Sequence, residues 1–253
     1  MGRAGAGLGV LLATSAHAAG DAAEVPADPP RYETVVVATT PLHGSRLARD
    51  RVAANVQSAT ADAIDASHSL DVAEFMNGSL ASVTVHQVQE NPLQSDLQYR
   101  GFSASPILGA AQGMSVFLNG VRLNEPFGDV VNWDLIPTDA IRSLNLMPGS
   151  NPLFGLNTLG GALSLETKTG FDSPGAQVSL SGGSWGRRVG ELEVGGHAER
   201  WGYFGAARVF AEDGWRQHSS SRALGGFASA TYRRNESFVD LALVGASTAL
   251  GGL

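Results

Sequence analysis

The sequence predicts an α+β domain over residues 50–170, followed by antiparallel transmembrane β-barrel strands that form an incomplete barrel. Three observations predict it. Residues 97–168 hold short apolar runs separated by turns rich in Gly, Asn and Pro, with helical patterns ahead of them. After Gly170 the pattern becomes period-2 alternation in segments close to the length of a membrane strand, an alternation that a soluble β-sandwich would share. No segment holds the ~18 consecutive apolar residues of a membrane helix, so only strands could enter a bilayer.

Composition agrees. Hydrophobic residues make up 43% of the 253 residues, enough for a core, while charged residues are 16% and Gly numbers 32. Many glycines with few charges suit tight turns and close-packed strands better than long helices. A net charge of −7 argues against a nucleic-acid partner, which selects basic patches. The absence of cysteine excludes a disulfide framework and cysteine-based metal or redox chemistry. The six histidines show no HxxxH or HExxH spacing, so no metal site is expected, and nothing points to an enzyme or a cofactor.

Residues 1–18 are expected to be a secretory signal peptide: Arg3, a small and apolar stretch from Ala4 to Ala13, then Ala16-His17-Ala18 as the cleavage site. Residues 19–49 form a linker, acidic and Pro-rich at first. Inside it, Glu33-Thr34-Val35-Val36-Val37-Ala38 is β-branched and suited to pairing as an added strand.

In the α+β domain, Thr60 caps a short helical turn. A second helix is expected over Leu70–Asn77, capped by Ser69 and stopped by Gly78, with Leu70, Ala73, Phe75 and Met76 inward. Strands follow at Ser82–Val88, Leu97–Gly101 and Ser115–Leu118, and Asn119-Gly120 is a two-residue hairpin turn. Pro137 opens a helical turn over Thr138–Ile141, and Ser143–Met147 with Ala162–Thr167 complete a small mixed sheet. Over residues 171–253 the apolar stripes run through Val178 and Leu180, Tyr203 to Ala211, Leu224 to Tyr232, and Val239 to Leu243. Arg208 and Asp240 fall on the opposite, lumen-facing parity. About 80 residues allow some five strands, whereas closed membrane barrels start at eight.

The succession Leu97–Ser103, Met114–Leu123 and Ala140–Lys168 resembles the plug domain of TonB-dependent outer-membrane receptors. Arg100-Gly101-Phe102 resembles that family's RG signature, and Asn119, Gly120 and Arg122 resemble its v-DG-v-r hairpin, with Asn119 in place of Asp. Gly149, Phe154, Gly155, Gly160 and Gly161 resemble its RGP…YG…GG segment. The family's acidic residue and arginine in IEVLRGP fall on Asn145 and Pro148, so any ionic lock between plug and barrel must use other residues.

The resemblance implies a fold, a mechanism and partners. Residues 33–38 would be the TonB box, pairing with the TonB energy-coupling protein, and Arg100 would reach a carboxylate of the barrel wall or a plug neighbour. Phe127, Asn132, Trp133 and Asp134 are ligand-facing candidates on the loop after the hairpin, with Ser103–Gln112 as an alternative apex. The implied function is energised uptake of a small-molecule ligand, a ferric siderophore or other metal chelate, across the outer-membrane lipid. The alternative is a soluble, non-transporting plug-like binding module.

Overall fold

A computed structural model describes residues 52–87, 92–234 and 237–251. The expected signal peptide and residues 33–38 lie outside the described residues. The domain begins with β1 (Gln57–Thr60), α1 (Ala61–Ser67) and α2 (Val72–Ser79), followed by β2 (Val83–His86), β3 (Asp96–Tyr99) and β4 (Phe102–Ala104). Next come β5 (Met114–Leu118), β6 (Val121–Arg122), β7 (Ile141–Pro148) and β8 (Gly161–Thr167). The remaining strands are β9 (Gly175–Gly182), β10 (Arg188–Ala198), β11 (Trp201–Glu212), β12 (Ser221–Arg234) and β13 (Ser237–Leu250).

Where one mixed sheet was expected, the described residues of the first domain form two. One is five-stranded in the order β1-β7-β8-β5-β6, and the other is β2-β3-β4. Only β5 and β8 pair parallel in the larger sheet, from Met114↔Gly161 to Leu118↔Leu165. That pairing needs a long crossover, and residues 119–160 supply it. The core lies between this sheet, the helices and the smaller sheet, with Phe75, Met76, Leu97, Tyr99, Trp133 and Leu163 fully buried. Asn119 and Gly120 both take positive φ, 50° and 82°, which is the geometry a two-residue hairpin needs between β5 and β6.

Several boundaries differ from expectation for local reasons. α2 starts at Val72, and its N-cap is Asp71 rather than Ser69: the Glu74 N–H donates to Asp71 Oδ1 at 2.7 Å, and the Leu70 N–H donates to Glu74 Oε2 at 2.6 Å. A carboxylate at the cap with Glu three residues on satisfies two orphan donors at once. Gly78 lies inside the helix, which ends at Ser79 with Leu80 as C-cap. β3 stops at Tyr99, because Arg100 and Gly101 both have positive φ and form the turn into β4.

Burial raises the Asp71 carboxyl to about 6, partly offset by its hydrogen bond from Glu74. A carboxyl raised on folding contributes stability that is complete below its ordinary value of 3.8 and lost as pH rises through about 6. The loss is on the order of 3 kcal/mol. Asp71→Asn keeps a good cap and removes the ionisation. Urea unfolding between about pH 4 and pH 8 should therefore show a flatter stability profile for the variant and greater stability than wild type at the alkaline end. A wild-type profile without this decline would refute the account.

The second region is an antiparallel meander, β9-β10-β11-β12-β13. Its two faces alternate as expected. Along β11, Gly202, Phe204, Ala206, Phe210 and Glu212 are buried, while Trp201, Tyr203, Ala207 and Val209 are exposed. The buried face rests on the first domain, and the exposed face is apolar from Val178 and Leu180 on β9 to Leu241 and Leu243 on β13.

Candidate functional site

The functional geometry is concentrated in the seam between the α+β domain and the inner face of the meander. Two apolar clusters seat the domain. Ala140 meets Phe204, Ala206 and Phe227, and Leu70 and Leu93 meet Phe210. Leu70 was expected inside a helix; instead it precedes α2, and its side chain belongs to the wall contact.

Between these clusters run ion pairs that bridge domain and wall. Lys168, just past β8, places its ammonium 2.8 Å from Glu193 of β10 and 3.3 Å from Asp65 of α1, with only 6% of its side chain exposed. The Lys168 N–H also donates to the Ala140 carbonyl at 2.7 Å, which fixes the backbone at that point. Arg208 of β11 lies 3.3 Å from Asp139 and 3.2 Å from Glu191, and its guanidinium donates to the Ser69 carbonyl at 3.4 Å. On β13, Thr248 donates to Asp134 at 3.3 Å.

The charges tune one another. Burial opposes the Lys168 ammonium, but hydrogen bonding and attraction from Glu193 and then Asp65 outweigh it, so its pKa is raised. Its stabilising contribution is therefore complete at neutral pH and is lost only in strong alkali. Burial pushes the Asp139 carboxyl upward; Arg208 opposes the shift, while Glu191 and Glu193 reinforce it. Beside the pairs lies a cavity of about 590 Å³ whose lining includes Asp65, His68, Asp139, Arg187, Glu191 and Arg208. This is a polar gap between two bodies held by a few discrete contacts. Among the described residues, no group of three or more His, Cys, Asp or Glu is placed to hold a metal ion.

The expected site residues divide into several groups. Asn145 is fully buried and accepts a hydrogen bond from Ser58 at 2.7 Å, which ties β7 to β1. Arg100 forms no ion pair among the described residues; its guanidinium sits 5.2 Å from the Tyr99 ring centre. The carboxylate expected to meet it on the barrel wall or a plug neighbour is not found among the described residues. Arg122 pairs with Asp129 at 2.9 Å and donates to the Leu156 carbonyl at 2.8 Å, closing the crossover loops over the hairpin. Gly149 and Gly155 take φ of 95° and 92°. Gly161 passes so close to β7 that a Cβ there would lie 2.4 Å from the Met147 carbonyl oxygen, and a Cβ on Gly160 would meet the Phe102 ring.

The ligand-facing candidates are dispersed. Phe127 is 76% exposed. Asn132 donates to Glu125 at 2.5 Å, and Asp134 is turned toward the wall. Trp133 is a correction: it is 1% exposed, inside the core, and its indole N–H donates to the Ala104 carbonyl at 3.1 Å. Polar neighbours on both sides give it a loop-like sequence context, and only the tertiary fold turns it inward. The seam residues Asp65, Asp139, Lys168, Glu191 and Glu193 had no sequence motif. The one available signal was strand parity, which placed Arg208 on the inner face.

A small α+β domain seated by apolar patches and buried ion pairs on the polar face of an amphipathic meander is the architecture of a plug against a barrel wall. The comparisons with known proteins agree. Residues 48–162, a little under half of the chain, match the family model described as the TonB-dependent receptor plug domain. No curated protein matches the chain. Among solved structures, the ferric preacinetobactin receptor BauA from Acinetobacter baumannii is similar at 18% identity and a TM-score of 0.61, over 77% of this chain and 28% of that one. The copper transporter OprC matches at 14% identity and a TM-score of 0.61, over 76% and 31%. The ferric-catecholate import receptor Fiu from E. coli K12, in its open form, matches at 14% identity and a TM-score of 0.60, over 78% and 27%. At these identities the likeness is one of fold, and this chain spans under a third of the length of each of the three.

Proposed function

We propose that this chain is the plug-bearing part of a receptor that takes up a scarce ligand across the outer membrane, gated by the plug and energised by TonB. The observation that carries the proposal is the seam: a plug held against the wall by a few reversible contacts, beside a polar gap. TonB-dependent receptors are outer-membrane proteins, and the apolar outer face of β9–β13 suits lipid. In this reading residues 33–38 face the periplasm and pair as an added strand with TonB, so force reaches the plug from its amino-terminal side. Phe127 and the Asn124–Asp129 loop face the ligand.

The cargo in this proposal is a ferric siderophore or other metal chelate, as the names of BauA, Fiu and OprC suggest. A soluble, non-transporting binding module fits less well, because it would leave the apolar face of the meander in water. Deleting residues 33–38 from the full receptor should abolish uptake of an iron-loaded siderophore panel while leaving outer-membrane levels unchanged. Uptake at the wild-type rate would sink the TonB-box assignment.

A further inference from the structure

The outward face of the meander is layered. The strand registers place Gly182, Arg188, Ala211, Arg222 and Ala249 in one row across β9 to β13. Near the opposite end, a second row aligns Ala198, Trp201, Tyr232 and Val239, with the Trp201 and Tyr232 rings 4.8 Å apart. Every outward position between these rows is apolar, Gly, Ser or Tyr. From Arg188 to Ala198 the strand advances about 34 Å at ~3.4 Å per residue. At a tilt near 40° that is about 26 Å along the membrane normal, matching the ~25 Å apolar band of outer-membrane barrels.

The two arginines therefore stand at the far border of that band. This border is on the side of the longer connections, residues 183–187 and 213–220, whereas Glu199-Arg200 forms a tight turn at the other end. Short turns mark the periplasmic end of such barrels and longer loops the outer end. Exposed Trp185 and Trp215 lie in those longer connections, as aromatic residues do at headgroup depth. Arg188 and Arg222 are exposed, and their side chains form no hydrogen bond or ion pair with the described residues. Their row neighbours are Gly and Ala, so no carboxylate flanks them within the row and the surface between them is open. Two strand spacings put their backbones about 9.5 Å apart, within reach of one anionic group or two adjacent ones.

We infer that Arg188 and Arg222 form a binding site for the phosphate of an anionic lipid headgroup in the outer-facing leaflet. The planar guanidinium fork suits phosphate oxygens, and an arginine at this depth avoids most of the cost it would carry at the bilayer centre. The inference rests on the membrane reading proposed above.

The test uses the full-length protein refolded from detergent, with vesicle flotation as the readout. Three vesicle types are compared: neutral phosphatidylcholine, phosphatidylcholine with phosphatidic acid, and phosphatidylcholine with an equal negative charge from oleic acid. Wild type should float with all three and prefer phosphatidic acid. The R188Q/R222Q variant should lose roughly thirtyfold in affinity for the phosphatidic acid vesicles, about fivefold per arginine, and match wild type on neutral ones. R234Q, at the periplasmic end of the same face, should keep the preference. Equal preference for oleic acid, an unchanged double variant, or the same loss in R234Q would each overturn the phosphate site. Wild type floating with neutral vesicles supports the membrane reading independently. Failure to float with any vesicle would overturn that reading and the site with it.

Discussion

Trp133→Ala is expected to lower the unfolding free energy of the plug by about 3–5 kcal/mol. The ring is 1% exposed within the main core cluster, so truncation leaves a cavity in that core. The change also strands the Ala104 carbonyl, which accepts the indole N–H at 3.1 Å. Urea unfolding of wild type and variant measures the effect directly. Phe127→Ala, on the exposed loop, should stay within about 0.5 kcal/mol of wild type and so separates the loop from the core. A Trp133 variant as stable as wild type would mean that the ring is not packed as described.

Lys168→Met should cost about 3 kcal/mol, because it leaves Glu193 and Asp65 facing each other without the ammonium between them. This cost is at the low end for a broken buried pair, because the Asp65 side chain is 39% exposed and recovers part of its hydration. Pairing the change with Glu193→Leu should restore most of the loss, because an apolar pair of similar volume carries no desolvation cost. The four proteins form a double-mutant cycle, measured by urea unfolding and by protease cleavage of the plug. A single variant that neither loses stability nor opens to protease would show that this ammonium does not hold the seam.

The parts of the structure legible in the sequence were those written in local patterns. Asn119-Gly120 named its hairpin, and period-2 alternation separated the faces of β11 and β12 down to the side taken by Arg208. The start of α2 was misplaced because Ser69 and Asp71 are both good caps two residues apart; the choice depends on Glu74 and on Ser95, which bonds to Asp71 from 24 residues away. The parallel β5–β8 pairing joins segments more than 40 residues apart, and periodicity carries no information about partners at that distance. The seam was invisible for the same reason. Lys168 meets Asp65 across 103 residues and Glu193 across 25, and no spacing rule connects them. What the sequence did show was a vacancy, since Asn145 and Pro148 lack the charges of the family pattern.

Among the described residues β1, four residues long, lies at the edge of its sheet and pairs only with β7. A load drawn from its amino-terminal side would open the β1–β7 hydrogen bonds in succession rather than all at once, and the Ser58–Asn145 bond would fall with them. The pull would then pass along α1 to Asp65, where Lys168 hands it on to Glu193 in the wall. Under such a load the fold would behave as a tear strip fastened to an anchor: one margin of the plug would unwrap first, and the remainder would stay moored to the wall.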